Sequence, residues 1–156
     1  EGYMAKNQKN PTANKLWNYF QSVISWTSST FTNKRKKLMK GVPWGELYNE
    51  YKNESLDPIK IEKEISKLIL DEDVTNQKGI YKYVLTKNEK FLNIRAFSDQ
   101  IKQRVYEKQK GICAQCKETF DFNKMDGDHI KKWVDGGKTE ESNCQMLCVP
   151  CNRGEN

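Results

Sequence analysis

Residues 143–152 read NCQMLCVPCN, and the pair Cys148 and Cys151 inside that stretch decides how the C-terminal part of the chain folds. The same C-x-x-C spacing occurs upstream in CAQC, from Cys113 to Cys116. Each pair puts two thiolates on one tight turn, and four thiolates from two such knuckles complete a tetrahedral site of the kind zinc occupies. One pair alone says little, whereas two in a short chain make a frame. Residues 117–147 separate the knuckles, more than a compact zinc ribbon needs, so an element is inserted between them. The competing reading is four unligated thiols packed in a core. A bound metal would also explain how so few large apolar residues hold a small unit together. The fifth cysteine, Cys144, is left over and is assigned to packing, one turn before Cys148 if that segment is helical.

The chain has 156 residues, 36% of them apolar, enough for one ordinary domain or two small ones with a modest core. No stretch approaches the ~18 uncharged apolar residues of a membrane span, and the opening EGYMAKNQKN lacks the apolar segment of a signal peptide. A soluble, cytoplasmic protein is expected, and in that reducing compartment paired cysteines favour metal over disulfides. The start at Glu1 and the end at Asn156, soon after the last cysteine, read as a piece of a longer chain. A net charge of +6 and a pI near 9.0 suit an anionic partner, nucleic acid first. The charge is unevenly spread: residues 1–110 hold 21 Lys and Arg against 13 Asp and Glu, while residues 111–156 hold 6 against 8. The cysteine-rich end is therefore acidic, and most nonspecific attraction to a polyanion is expected from the upstream basic segment or from parts of a longer chain.

Helical spacing of Leu16, Phe20, Val23 and Ile24 predicts a helix from about Ala13 to Trp26, with Thr12 as its N-cap and the run TSSTFT as its end. NKRKKLMKG follows, with Lys34, Arg35, Lys36, Lys37 and Lys40; such a run is either a solvated face or a set of phosphate contacts. PWGELYNEY predicts a short helix packing Trp44, Leu47, Tyr48 and Tyr51. In DPIKIEKEISKLILDED, Asp57 caps a helix, Pro58 fits its first position, and Ile61, Ile65, Leu68 and Ile69 form a buried stripe. GIYKYVLT is open between strand and short helix. SDQIKQRVYEKQKG reads as a helix capped by Ser98 and ended by Gly111, with Ile101 and Val105 inward. That helix delivers the chain to Cys113.

The only histidine lies in the insertion, in MDGDHIKKW, residues 125–133. A neutral imidazole can take a proton from water, and a carboxylate can hold a hard cation. If KMDGDHI is a strand, Asp128 and His129 point to opposite sides and can take separate roles. DGGKT then makes a turn, Asn143 opens the stretch quoted above, and Asn152 follows the last knuckle cysteine.

The order C-x-x-C, D-H-I, W, G-G-K-T, N-x-Q-x-L-C-x-x-C-N resembles the zinc-containing HNH endonucleases over about residues 111–153. The helices read above give a mainly helical basic region over residues 1–96, and the resemblance implies a small zinc-stabilised ββα-metal module, here residues 97–156, for an α+β chain overall. It implies His129 as general base, Asp128 and Asn152 as ligands of one catalytic divalent ion, Mg2+ or Mn2+, and Asn143 as the residue that orients the loop behind the histidine. Cys113, Cys116, Cys148 and Cys151 would hold a structural Zn2+. Asn152 stands where the family's name has a histidine, and its neutral amide oxygen suits a magnesium-like ion. Lys131, Lys132 or Arg153 would clamp the scissile phosphate, and Lys34, Arg35, Lys36 and Lys37 would contact DNA backbone.

The upstream stretches LWNYFQSVISW and GIYKYVLT…FLNIRAFS look like the C-terminal part of GmrSD-like restriction and anti-phage proteins, in which a nucleotide-dependent domain precedes the nuclease. That likeness implies a defence role and an upstream domain or partner subunit. None of the nucleotide-binding motifs occurs in these residues. Three readings stand open: a metal-dependent DNA endonuclease, a zinc-stabilised nucleic-acid-binding module that does not cut, or a protein-interaction domain of a larger defence complex whose basic run faces an acidic partner.

Overall fold

The computed structural model describes residues 11–154 together with Lys6, Gln8 and Lys9. Helices α1 (Asn14–Thr30), α2 (Lys36–Met39), α3 (Trp44–Tyr51), α4 (Pro58–Ile69) and α5 (Ile80–Thr86) come first. Then follow α6 (Asp99–Gln109), strands β1 (Met125–His129) and β2 (Cys144–Cys148), and α7 (Val149–Arg153). The architecture is α+β, helical first and ending in a ββα unit. Among the described residues no helix is long and apolar enough to cross a membrane. The chain divides into two compact units: described residues up to Leu70 with Gln77–Asn88, and Asp71–Asn76 with described residues from Glu89 on. The sequence boundary between residues 96 and 97 falls inside the second unit.

In the first unit the rings of Phe31, Trp44 and Tyr81 meet at centroid distances of 5.2 to 5.4 Å, edge-on or tilted, as their quadrupoles favour. Leu47, Ile65 and Ile80 of the same unit are essentially without exposure. Helix α4 starts as its sequence dictates: the Asp57 carboxylate accepts from the N–H groups of Ile59 and Lys60 at 3.0 and 3.2 Å, and Pro58 needs no donor there. Its stripe Ile61, Ile65 and Leu68 is buried.

Helix α1 departs from expectation at both ends. Ala13 stands at its N-cap with no side-chain bond, so Thr12 is not the cap. The helix also runs through the serines to Thr30, because Ser29 turns its hydroxyl back onto the Trp26 carbonyl at 3.0 Å, and Thr30 and Phe31 are buried. Of its apolar stripe only Val23 is buried; Leu16, Phe20 and Ile24 stay exposed. GIYKYVLT resolves as helix α5, with Ile80, Tyr81, Tyr83 and Val84 all inside.

The second unit is built on α6, whose Ser98 hydroxyl accepts from the Ile101 N–H at 3.3 Å. Lys110 and Gly111 follow at φ 55° and 70°, the left-handed pair that turns the chain toward the first knuckle. Strands β1 and β2 pair antiparallel, with Asp128 opposite Gln145 and His129 opposite Cys144. Phe97, Val105, Met125, Met146 and Leu147 pack with Cys113, Cys144, Cys148 and Cys151 in one buried cluster. Cys144 is therefore a core residue as expected, but on a strand rather than a helix. Two upstream pieces join this unit: Val74 bridges Ile94, and Asn76 donates its N–H to the Leu92 carbonyl at 2.9 Å.

Candidate catalytic and metal sites

The four knuckle sulfurs, from Cys113, Cys116, Cys148 and Cys151, all lie within 4.8 Å of one another. Cys116 Sγ and Cys148 Sγ are 3.9 Å apart. Tetrahedral zinc with bonds of about 2.3 Å holds its sulfurs about 3.8 Å apart, so the four thiols are positioned to bind one such ion. Local backbone makes the cradle. Lys117 sits at φ 66° and returns its N–H to the Cys113 carbonyl at 3.1 Å, closing the first turn. In the second, Cys148 precedes α7 and Pro150 lies in its first turn, where no donor is missed. Burial pushes the Cys113 thiol up, but N–H groups of Cys148, Cys116 and Gln115 outweigh it and hold the thiol at about 6. Cys144 lies outside this cradle. Burial first, then the charge of Asp128, pushes its thiol up to about 11.

Asp128 and His129, neighbours on β1, do point apart. Asp128 is half-buried and accepts from Gln145 Nε2, its cross-strand partner, at 3.1 Å. His129 leans on Phe97, ring centroids 4.4 Å apart, and its Nε2 meets Thr139 Oγ1 at 3.1 Å. The Thr139 hydroxyl spends its one hydrogen on the Arg95 carbonyl, also at 3.1 Å. Its oxygen can then only accept from the ring, so the network assigns the hydrogen of the neutral imidazole to Nε2 and the lone pair to Nδ1. Thr139 is itself fixed, because its N–H donates to the buried Asp73 carboxylate at 3.0 Å. Thr139, Gln145, Phe97 and Asp73 were not among the residues singled out from sequence. Thr139 and Gln145 lay within the quoted motif, while Asp73 gave no signal because it joins from a distant segment.

Asn143 ties down the loop after β1. Its Oδ1 accepts from the Lys131 N–H at 2.9 Å, and its Nδ2 donates to the carbonyls of Lys131 at 3.0 Å and Lys138 at 2.9 Å. Gly137 fits only because it has no side chain: a Cβ there would lie 1.9 Å from the Lys131 oxygen. Asn152 is exposed on α7, as is Arg153; Lys131 and Lys132 are exposed just beyond β1. Lys34, Lys36 and Lys37 are exposed in the first unit. Arg35 faces inward, donating to both oxygens of Glu62, with Nη1 3.1 Å from Oε2, and to Ser66 Oγ at 3.2 Å.

A buried four-sulfur cradle thus stands beside a strand that carries a carboxylate and a tautomer-fixed imidazole. Comparison with curated proteins gives no match to the chain. Residues 113–156 match the family model described as HNH endonuclease, and the four-cysteine cluster lies inside the matched segment.

Proposed function

We propose that the chain is a metal-dependent endonuclease that hydrolyses DNA phosphodiester bonds. The observation that carries this reading is the fixed hydrogen of His129: with Nε2 donating to Thr139, the Nδ1 lone pair is left to receive a proton. Water gives that proton to Nδ1 as its oxygen attacks phosphorus, and the 3′ oxygen departs in line with its bonding pair. The imidazolium formed keeps its Nε2–H bond to Thr139, so no partner has to move during the step.

Asp128 and Asn152 are the side chains that would hold a magnesium or manganese ion. One carboxylate oxygen of Asp128 is taken by Gln145, and a carboxylate with an amide oxygen is the hard donor set such an ion prefers. When bound, the ion neutralises charge on the phosphate and the leaving oxygen. The four cysteines suit a structural zinc. Lys131, Lys132 and Arg153 would clamp phosphate, and backbone contacts upstream would fall to Lys34, Lys36 and Lys37, with Arg35 engaged by Glu62. A restriction or anti-phage setting, with an upstream nucleotide-dependent partner, rests on the likeness of the upstream stretch.

The test is supercoiled plasmid incubated with the zinc-loaded chain, with and without magnesium or manganese. Nicking that needs the added ion is expected. A folded, zinc-loaded chain that binds DNA in a salt-dependent way and never nicks would instead be a binding module.

Thr139 acts here as a positioning residue. Thr139→Val keeps the shape and removes the acceptor, so kcat should fall about tenfold with KM unchanged, the scale of one lost hydrogen bond of ~1.4 kcal/mol. Thr139→Ser should restore most of it. Equal losses in both variants, or a change confined to KM, would assign Thr139 to packing alone.

A further inference from the structure

Helix α1 carries an apolar face that its own unit leaves uncovered. Leu16, Phe20 and Ile24 recur at i, i+4 and i+8, with Trp17 beside them, and all four are exposed. Trp17 is 59% and Phe20 54% exposed, so more than half of each residue is open to solvent. The two rings lie 6.3 Å apart at 26° and thus turn their faces in nearly the same direction. Among the described residues neither ring has another ring contact or a cation over it, and the Trp17 indole N–H has no hydrogen bond. Asn14 and Gln21, three residues before Trp17 and four after it, are its neighbours on the helix surface. Both are exposed, and their amides have no hydrogen bond among the described residues.

What covers this face is set by the charge around it. The first unit, residues 1–70 and 77–88, holds 15 Lys and Arg against 7 Asp and Glu, a net +8, to which α1 contributes only Lys15. A second copy would cover the stripe but bring its own +8 against the first. An anionic lipid surface would answer the charge, but a helix that lies on one is rich in Lys and Arg along its polar side. The polar side of α1 is Asn18, Ser22, Ser25 and Ser29. Duplex DNA answers the charge but keeps its base faces stacked inside. An unpaired strand supplies all three complements: phosphates for the lysines, base faces for the rings, and base edges for the amides, which both donate and accept. The 6.3 Å between ring centroids is nearly twice the ~3.4 Å rise of stacked bases, so each ring takes one base of an extended strand.

We propose that the exposed face of α1 is a platform for single-stranded DNA, on which Trp17 and Phe20 each stack one base while Asn14 and Gln21 flank the base edges. The proposal goes beyond backbone contacts by Lys34, Lys36 and Lys37, and it rests on the nuclease reading only for the choice of DNA as the nucleic acid. Stacking of this kind is tolerant of sequence, because every base has a π-face. A chain so equipped holds frayed or displaced strands in preference to closed duplex.

The test measures binding, not cleavage, and so separates the two ideas. The full chain, without magnesium or manganese, is titrated by fluorescence anisotropy with three labelled probes of one length: a strand of thymidines, the same backbone with its bases removed, and a duplex. The thymidine strand should bind about tenfold or more tighter than its abasic counterpart. Trp17→Ala should weaken the thymidine strand about tenfold, within the range seen for one stacked base. The abasic strand and the duplex should stay within about twofold, because the charge is untouched. Trp17→Phe should keep most of the affinity. Trp17 stands in solvent, so zinc content and circular dichroism of both variants should match wild type. A folded Trp17→Ala that binds all three probes as wild type does, or equal affinity of wild type for thymidine and abasic strands, would overturn the platform. So would a dimer in sedimentation that Trp17→Ala dissolves, or binding to anionic vesicles that it abolishes, since the face then belongs to a second copy or to lipid. Plasmid nicking beside any of these results would leave the nuclease reading standing, and base-dependent binding without nicking would leave the platform standing.

Discussion

His129→Ala is expected to lower plasmid nicking by about 10²–10⁴-fold, the usual contribution of a positioned general base, while leaving the fold and the metal content as they are. The fold should survive because what His129 touches is held by other bonds. Thr139 keeps its hydroxyl on the Arg95 carbonyl and its N–H on Asp73 without the imidazole. Phe97 stays in the buried cluster built on α6 and β2. The four sulfurs take no part in the histidine's hydrogen bond, so zinc content should remain one per chain. Initial nicking rates of wild type and variant at matched zinc content, in magnesium and in manganese, read the effect. Nicking at the wild-type rate by a clean variant would move the general base elsewhere on the chain.

How much was legible in the sequence depended on whether the deciding interactions were local. Helices α4 and α6 were readable because Asp57 and Ser98 cap them through their own neighbours, two or three residues on. The four-cysteine frame was readable because each knuckle is a turn that closes on itself. Helix α1 was misread at its end because the run of serines and threonines argues locally for a stop, while Phe31 beyond it is held by Trp44 and Tyr81. GIYKYVLT stayed open because a short helix buried on most sides has no periodicity to distinguish it from a strand. The same division runs through the candidate site. His129, Asp128 and Asn143 follow from the motif, and the geometry around them is local to β1, β2 and the loop between. What orients the imidazole is not local: Thr139 is fixed by Asp73 and Arg95, both upstream of the matched family segment. No pattern within residues 113–156 could have named them, since their bonds to Thr139 arise only from the tertiary fold.

Losing the knuckle metal should cost more than any other single change. Three of the four cysteines positioned to hold it, Cys113, Cys148 and Cys151, are also members of the buried cluster that includes residues of α6 and the sheet, so the candidate metal site and the core are the same place. Structural zinc sites contribute about 10–16 kcal/mol, against a net stability of ~5–15 kcal/mol for a whole domain. A difference of that size leaves no folded state for the ββα unit once the ion is gone. Cys113→Ser is the sharpest version, because serine is not deprotonated near neutral pH and cannot supply the thiolate in a fully buried position. Hydrogen exchange should show β1, β2 and α7 losing protection in Cys113→Ser, or in wild type stripped by a chelator, and nicking should vanish with them. The packing of unligated thiols makes the opposite forecast: a chelator changes neither protection nor melting temperature, and Cys113→Ser costs no more than another buried substitution. Cys144 supplies the internal control. It shares the core but lies outside the four-sulfur cluster, so Cys144→Ser should weaken packing while the zinc content of the folded chain stays at one.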